Sequence, residues 1–167
     1  MTAPEGERTR VIAWADPLAT AEAARSMSGL EFLHAMLRGD VPRPPISNTL
    51  DFTLESASEG RAVFVVTPQE FHYNPIGVVH GGLAATLLDS ALGCAVQTML
   101  PAGVAYTTVE LHVNLVRAIT RDTGMLRAES EVMHMGRSIA TAQARLIDGA
   151  GKLYAHGTTT CMVIRPA

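Results

Sequence analysis

Between residues 81 and 100 the apolar positions fall at steps of three and four: Leu83, Leu87, Leu88, Ala91, Leu92, Ala95, Val96 and Met99. Most intervening positions are Ala, Gly, Ser or Thr, so the spacing predicts one helix, apolar nearly all round and therefore buried. Pro101-Ala102-Gly103 ends it. On either side the period changes to two. Upstream, Leu50, Phe52 and Leu54 alternate with Asp51, Thr53 and Glu55, which predicts a strand starting near Ser47. Ser58-Glu59-Gly60 turns it into a second strand over residues 61–67, and residues 68–79 read as loop. Downstream, residues 104–117 set Val109, Leu111, Val113 and Leu115 against Glu110, His112 and Asn114. Strands over residues 123–135, 138–147 and 152–164 follow, joined by turns at Gly136-Arg137 and Asp148-Gly149-Ala150-Gly151.

Two strands, one long apolar helix and four strands, joined by short loops, predict an α+β domain in which an antiparallel sheet wraps around the helix. The domain covers residues 47–167, after an N-terminal helical extension and Pro-rich linker over residues 1–46. Within that extension residues 1–15 read as weakly ordered, with Trp14 large enough to dock onto the body. Asp16-Pro17 is an N-cap followed by Pro at the first helical position, opening an Ala-rich helix that runs to about Ser26. Ser28 starts a second helix over residues 29–38, with Leu30, Leu33, His34 and Leu37 on one face and Gly39 as its C-cap. Pro42, Pro44 and Pro45 read as an extended linker.

Composition narrows the function classes. A formal charge of -3 gives no reason to expect nucleic acid or an anionic membrane surface as partner. Apolar content of 47% against 17% charged suits a globular chain that buries extra surface in an oligomer. The longest uncharged run, residues 90–109, contains Gln97, Thr98, Pro101 and Gly103 and makes a poor membrane span. The first ten residues carry Glu5, Glu7, Arg8 and Arg10 and lack the apolar run of a secretory signal. With Cys94 and Cys161 far apart and in no motif, the expectation is free thiols and a cytoplasmic location.

Asp89 breaks the apolar helix. It is the only Asp, Glu, Lys or Arg between Glu70 and Glu110. A carboxylate there is costly unless it is paired, hydrogen-bonded or used. Upstream of it stand Asn74, Gly77 and His80-Gly81-Gly82, with Asp89 nine positions after the His. These residues, in this element order and with Gly136-Arg137 in a late hairpin, resemble the hotdog-fold acyl-CoA thioesterases, in particular the PaaI-like and 4-hydroxybenzoyl-CoA thioesterase group, over residues 45–164.

The resemblance implies a six-stranded antiparallel hotdog sheet and hydrolysis of a small or medium acyl- or aryl-CoA. Asp89 is then nucleophile or general base, and the Gly81 N–H, at a helix N-terminus, the oxyanion donor. Gly82 lets substrate approach that end closely. Asn74 and His80 position substrate, water or loop, Thr108 places a hydroxyl near the lytic water, and Arg137 meets coenzyme A phosphates. Each has a purely structural alternative: a hydrogen-bonded buried Asp, a capping His, a turn Asn, packing glycines, a strand Thr, a solvated Arg. No cofactor is expected beyond the coenzyme A of the substrate. His112, His134 and His156 recur every 22 residues, yet no acid or Cys is spaced to complete a metal site, so none is expected.

Gly81 and Asp89 are eight residues apart on one helix, or about 12 Å at ~1.5 Å per residue. One carbonyl cannot lie against both. A homodimer with two shared sites resolves this, and the family is likewise dimeric or tetrameric. Two other readings compete: a hydroxyacyl-CoA dehydratase with His80 as base, and a non-catalytic acyl-CoA-binding protein, against which the retained Asp89 argues.

Overall fold

The computed structural model describes residues 6–166, so the weak order expected of residues 1–5 lies outside the described residues. Three helices, α1 (Pro17–Arg25), α2 (Gly29–Arg38) and α3 (Pro45–Leu50), precede the hairpin β1 (Phe52–Ser58) and β2 (Arg61–Val66). A loop with a single 3-10 turn at Glu70–His72 leads to α4 (Gly81–Gln97), followed by β3 (Ala105–Leu115), β4 (Leu126–Met135), β5 (Ile139–Asp148) and β6 (Leu153–Ile164). The six strands form one antiparallel sheet in the order β1-β2-β4-β5-β6-β3. α4 packs against all six of them, as the period change implied. Leu87, Leu88, Leu92 and Val96 of the helix are wholly buried against strand residues such as Phe52, Leu126 and Leu146. Among the described residues no helix is long and apolar enough to cross a membrane.

Several expectations need correction. α4 is not buried all round: Thr86, Asp89, Ser90, Cys94 and Gln97 form a half-buried stripe. Pro42 and Pro44 lie in an extended segment as expected, but Pro45 and the expected strand start belong to the helix α3, because Pro45 occupies a first-turn position, where its missing N–H has no partner to lose. The boundary expected at residue 46 falls inside it. Trp14 stays 61% exposed. The segment before α1 is held instead by Arg10, which donates to the Asn48 and Thr49 carbonyls, and by Asn48, which donates to the Ala13 carbonyl.

α1 and α2 begin as expected, with Asp16 capping Leu18 and Ser28 with Glu31 forming a capping box, and Gly39 closes α2 at φ +82°. The buried face of α2, however, is Gly29, Phe32, Leu33 and Ala35, and Leu37 is exposed. Gly29 sets this rotation. Its N–H donates to the Leu100 carbonyl at 2.9 Å, and a Cβ there would lie 1.7 Å from the Gln97 carbonyl oxygen.

β3 departs from simple alternation. Thr108 pairs with Cys161 and Glu110 with Thr160, leaving Val109 as a bulge. The extra residue keeps Tyr106, Thr108, Leu111 and Val113 on the helix side and turns Val109 out, 56% exposed. Leu115, also expected inside, is 59% exposed and lies against Gly81 at the start of α4.

Candidate active site

The loop before α4 is anchored by His72, a buried residue. Its Nε2–H donates to the Leu50 carbonyl at 2.8 Å and its Nδ1 accepts the Gln69 N–H at 3.0 Å. Burial pushes its pKa below the ordinary histidine value, the Leu50 carbonyl opposing. The His72 carbonyl accepts the His80 N–H at 2.8 Å, which fixes the chain as it enters the helix. Asn74 makes a turn: its Oδ1 accepts the Ile76 N–H at 3.0 Å, and Gly77 follows at φ +80°.

His80 is the N-cap of α4. Its Nδ1 accepts the Gly82 N–H at 2.8 Å, and its carbonyl accepts the Leu83 N–H at 3.0 Å. The Gly81 N–H makes no hydrogen bond among the described residues. A helix N-terminus therefore presents one free amide, with the positive end of the helix dipole behind it.

Asp89 lies two turns further along. Thr108 Oγ1 donates to Asp89 Oδ1 at 3.1 Å, brought there by the bulge at Val109. Asp89 joins no ion pair among the described residues. Burial, aided by the Asp89 charge, pushes the Cys94 thiol up to about 12. Burial likewise raises Tyr106 and Cys161. These neighbours stay protonated and neutral near pH 7. Beside Asp89 opens a cavity of about 280 Å³, lined on this side by Ser90, Cys94 and Gln97 of α4 and by Tyr106 and Thr108 of β3. A roomier concavity of about 400 Å³, among Arg61, Glu131 and Arg145, includes none of these groups.

The chain thus joins Asp89 with Thr108, and His80 with Gly81 and Gly82, at two places on one helix. Asn74 belongs to the second group through its loop. Arg137 bonds to neither: it is exposed in the β4–β5 turn, and its carbonyl accepts from Arg165 Nε at 3.3 Å. His112, His134 and His156 stand on β3, β4 and β6, and no three potential metal ligands cluster among the described residues. Sequence reasoning missed His72 and the cavity side of α4. The latter had a signal: Thr86, Asp89, Ser90, Gly93, Cys94 and Gln97 follow steps of three and four and carry every polar side chain of the helix.

Comparison with known proteins agrees with this architecture. Residues 76–155 match the thioesterase superfamily. A putative esterase of Halobacterium salinarum is 31% identical over 121 residues, covering 70% of this chain and 78% of its own. Human acyl-coenzyme A thioesterase 13 is 30% identical over 113 residues, covering 65% and 76% respectively. The crystal structure of a putative thioesterase, a phenylacetic acid degradation-related protein of Ralstonia eutropha JMP134, superposes with a TM-score of 0.70 at 28% identity, over 78% of this chain and 98% of that one. The chain belongs to the thioesterase superfamily, with the hotdog fold, and is a thioester hydrolase.

Proposed function

We propose that the protein hydrolyses acyl-CoA thioesters at two sites shared across a homodimer. Asp89 of one copy acts as general base on water, and the Gly81 N–H of the other polarises the thioester carbonyl. The observation that carries this is the Thr108–Asp89 hydrogen bond at the middle of a helix whose first amide is free. A hydroxyl that donates to the carboxylate can still accept from a water, which favours general-base over nucleophilic action.

The edge of the sheet supports the pairing. Among the described residues β3 has β6 on one side and no strand on the other, over eleven residues with Val109 and Leu115 exposed. Such an edge is a template for a second strand. Gly81 lies at Leu115, and Asp89 lies at Thr108. Antiparallel pairing that sets Thr108 opposite Leu115 of a second copy brings the free amide of one α4 to the carboxylate of the other. With the bulged Val109 left out of the ladder, the two-fold axis then passes at His112. The dimer can pair further into a tetramer. Arg137, in no ion pair among the described residues, is available to coenzyme A phosphates. His80 and Asn74 position the loop and the oxyanion amide, and Gly82 leaves room for substrate.

The dehydratase alternative needs His80 as base. Its Nδ1 is engaged by Gly82, so the remaining proton sits on Nε2 and that nitrogen has no free pair to offer. The test is thiol release from a panel of acyl-CoAs by wild type and Asp89→Asn. Release by wild type and loss of about a hundredfold or more in the variant is expected. Equal turnover by both proteins contradicts the proposal.

A further inference from the structure

We infer that the N-terminal extension is part of the active site: α2 forms the far wall of the acyl cavity, and Met36 sets the size of the acyl group admitted. The inference rests on Asp89 being the reacting group.

α2 is built to stay where it is. A capping box opens it and a left-handed glycine closes it. Its first residue is pressed so closely onto the end of α4 that no side chain fits there. The face turned by this contact carries Phe32, Leu33 and Met36 to the cavity that Asp89 and Thr108 also line. Phe32 and Leu33 are packed into the core beneath α2, 7% and 1% exposed, and so have little freedom to yield. Met36 is half-buried and lies one turn beyond Phe32. It is unbranched, so it is the adjustable piece of the wall.

Two further features define the occupant. Among the described residues Asp89 is the only charged side chain lining the cavity, so none of them neutralises a second negative charge at the far end of an acyl group. The volume is about 280 Å³. At about 30 Å³ for each water-sized group, this chain's side of the site has room for about nine non-hydrogen atoms. The site fits an uncharged, compact acyl group, aromatic or short aliphatic.

The experiment measures kcat/KM for butyryl-, hexanoyl-, decanoyl-, benzoyl- and succinyl-CoA in wild type, Met36→Ala, Met36→Trp, Gly29→Ala and Asp89→Asn, with circular dichroism and oligomeric state checked for each. Wild type should favour hexanoyl and benzoyl over decanoyl, and succinyl should be poor throughout. Met36→Ala should raise the decanoyl-to-butyryl ratio about tenfold or more, and Met36→Trp should lower it by a similar factor. Gly29→Ala, which forces α2 off α4 while changing no lining side chain, should raise the ratio in the same direction as Met36→Ala. Ratios unchanged in folded Met36→Ala, Met36→Trp and Gly29→Ala, with Asp89→Asn inactive, overturn the wall while leaving the proposed function standing. Undiminished activity in Asp89→Asn overturns the function itself, and with it the wall.

Discussion

Thr108 reaches Asp89 because Val109 does not pair. The bulge at Val109 keeps the Thr108 hydroxyl on the helix side of β3, 3.1 Å from the carboxylate. Hydrogen bonds to charged groups contribute about 1.5–3 kcal/mol, so Thr108→Val should lower kcat about tenfold to a hundredfold. KM should change little, and Thr108→Ser should retain most activity. Steady-state kinetics on one good acyl-CoA substrate decide it.

General-base and nucleophilic action by Asp89 leave different isotope records. A single turnover in heavy-oxygen water should put the label directly into the product acid. If Asp89 attacks the thioester itself and water then opens the mixed anhydride at the Asp89 carboxyl carbon, the first turnover delivers label to the Asp89 carboxylate instead, readable by mass spectrometry of the peptide.

His72 makes the stability pH-dependent. Its folded-state pKa lies below the ordinary value of 6.5 because burial disfavours the charged ring. The unfolded chain therefore binds the proton first as pH falls, and stability declines from about pH 6.5 down to the folded-state value. Tm should drop between pH 7 and 5, and His72→Gln should flatten that part of the profile while lowering Tm at neutral pH.

Cys94 should be inert in the folded protein. With its thiol pushed up to about 12, almost no thiolate exists at pH 8. Iodoacetamide should label Cys94 only as the chain unfolds, which mass spectrometry across a urea series reads directly. The same shift removes stability as pH rises above the ordinary thiol value of 9 toward 12.

Gly29 tests how the extension is attached. A Cβ 1.7 Å from the Gln97 carbonyl oxygen meets backbone, which cannot swing away. Gly29→Ala should destabilise the protein by about 1–3 kcal/mol in urea unfolding, well beyond the same change at exposed Gly149, where a Cβ meets nothing.

The long helix and the lone acid were legible because apolar spacing and a single charge are local signals. The bulge was not: a two-residue alternation looks unbroken when the inserted residue is itself Val, so Val109 and Leu115 read as core. α3 was hidden because Pro44-Pro45 suits both an extended segment and a helix start, and α3 bonds to Arg10 and Ala13, far away in sequence. The face of α2 was fixed by Gly29 meeting α4, a tertiary contact that no periodicity records. Asn74 and His80 were read as site residues with a turn and a cap as their structural alternatives, and each makes the hydrogen bond of that alternative.

Sharing of the site between two copies is tested most directly by mixing two inactive chains. Gly81→Pro removes the free amide and adds bulk against the Leu115 side chain, and the helix start accepts its backbone, since Pro is tolerated at the first position of a helix and His80 already has extended backbone angles. Gly81→Ala adds bulk against the Leu115 side chain but keeps the N–H, and serves as control. Equal amounts of Gly81→Pro and Asp89→Asn chains, unfolded together and refolded, form hybrids that each contain one intact site. Recovery of about a quarter of wild-type activity is expected from random pairing. No recovery in hybrids verified by mass spectrometry contradicts the shared site.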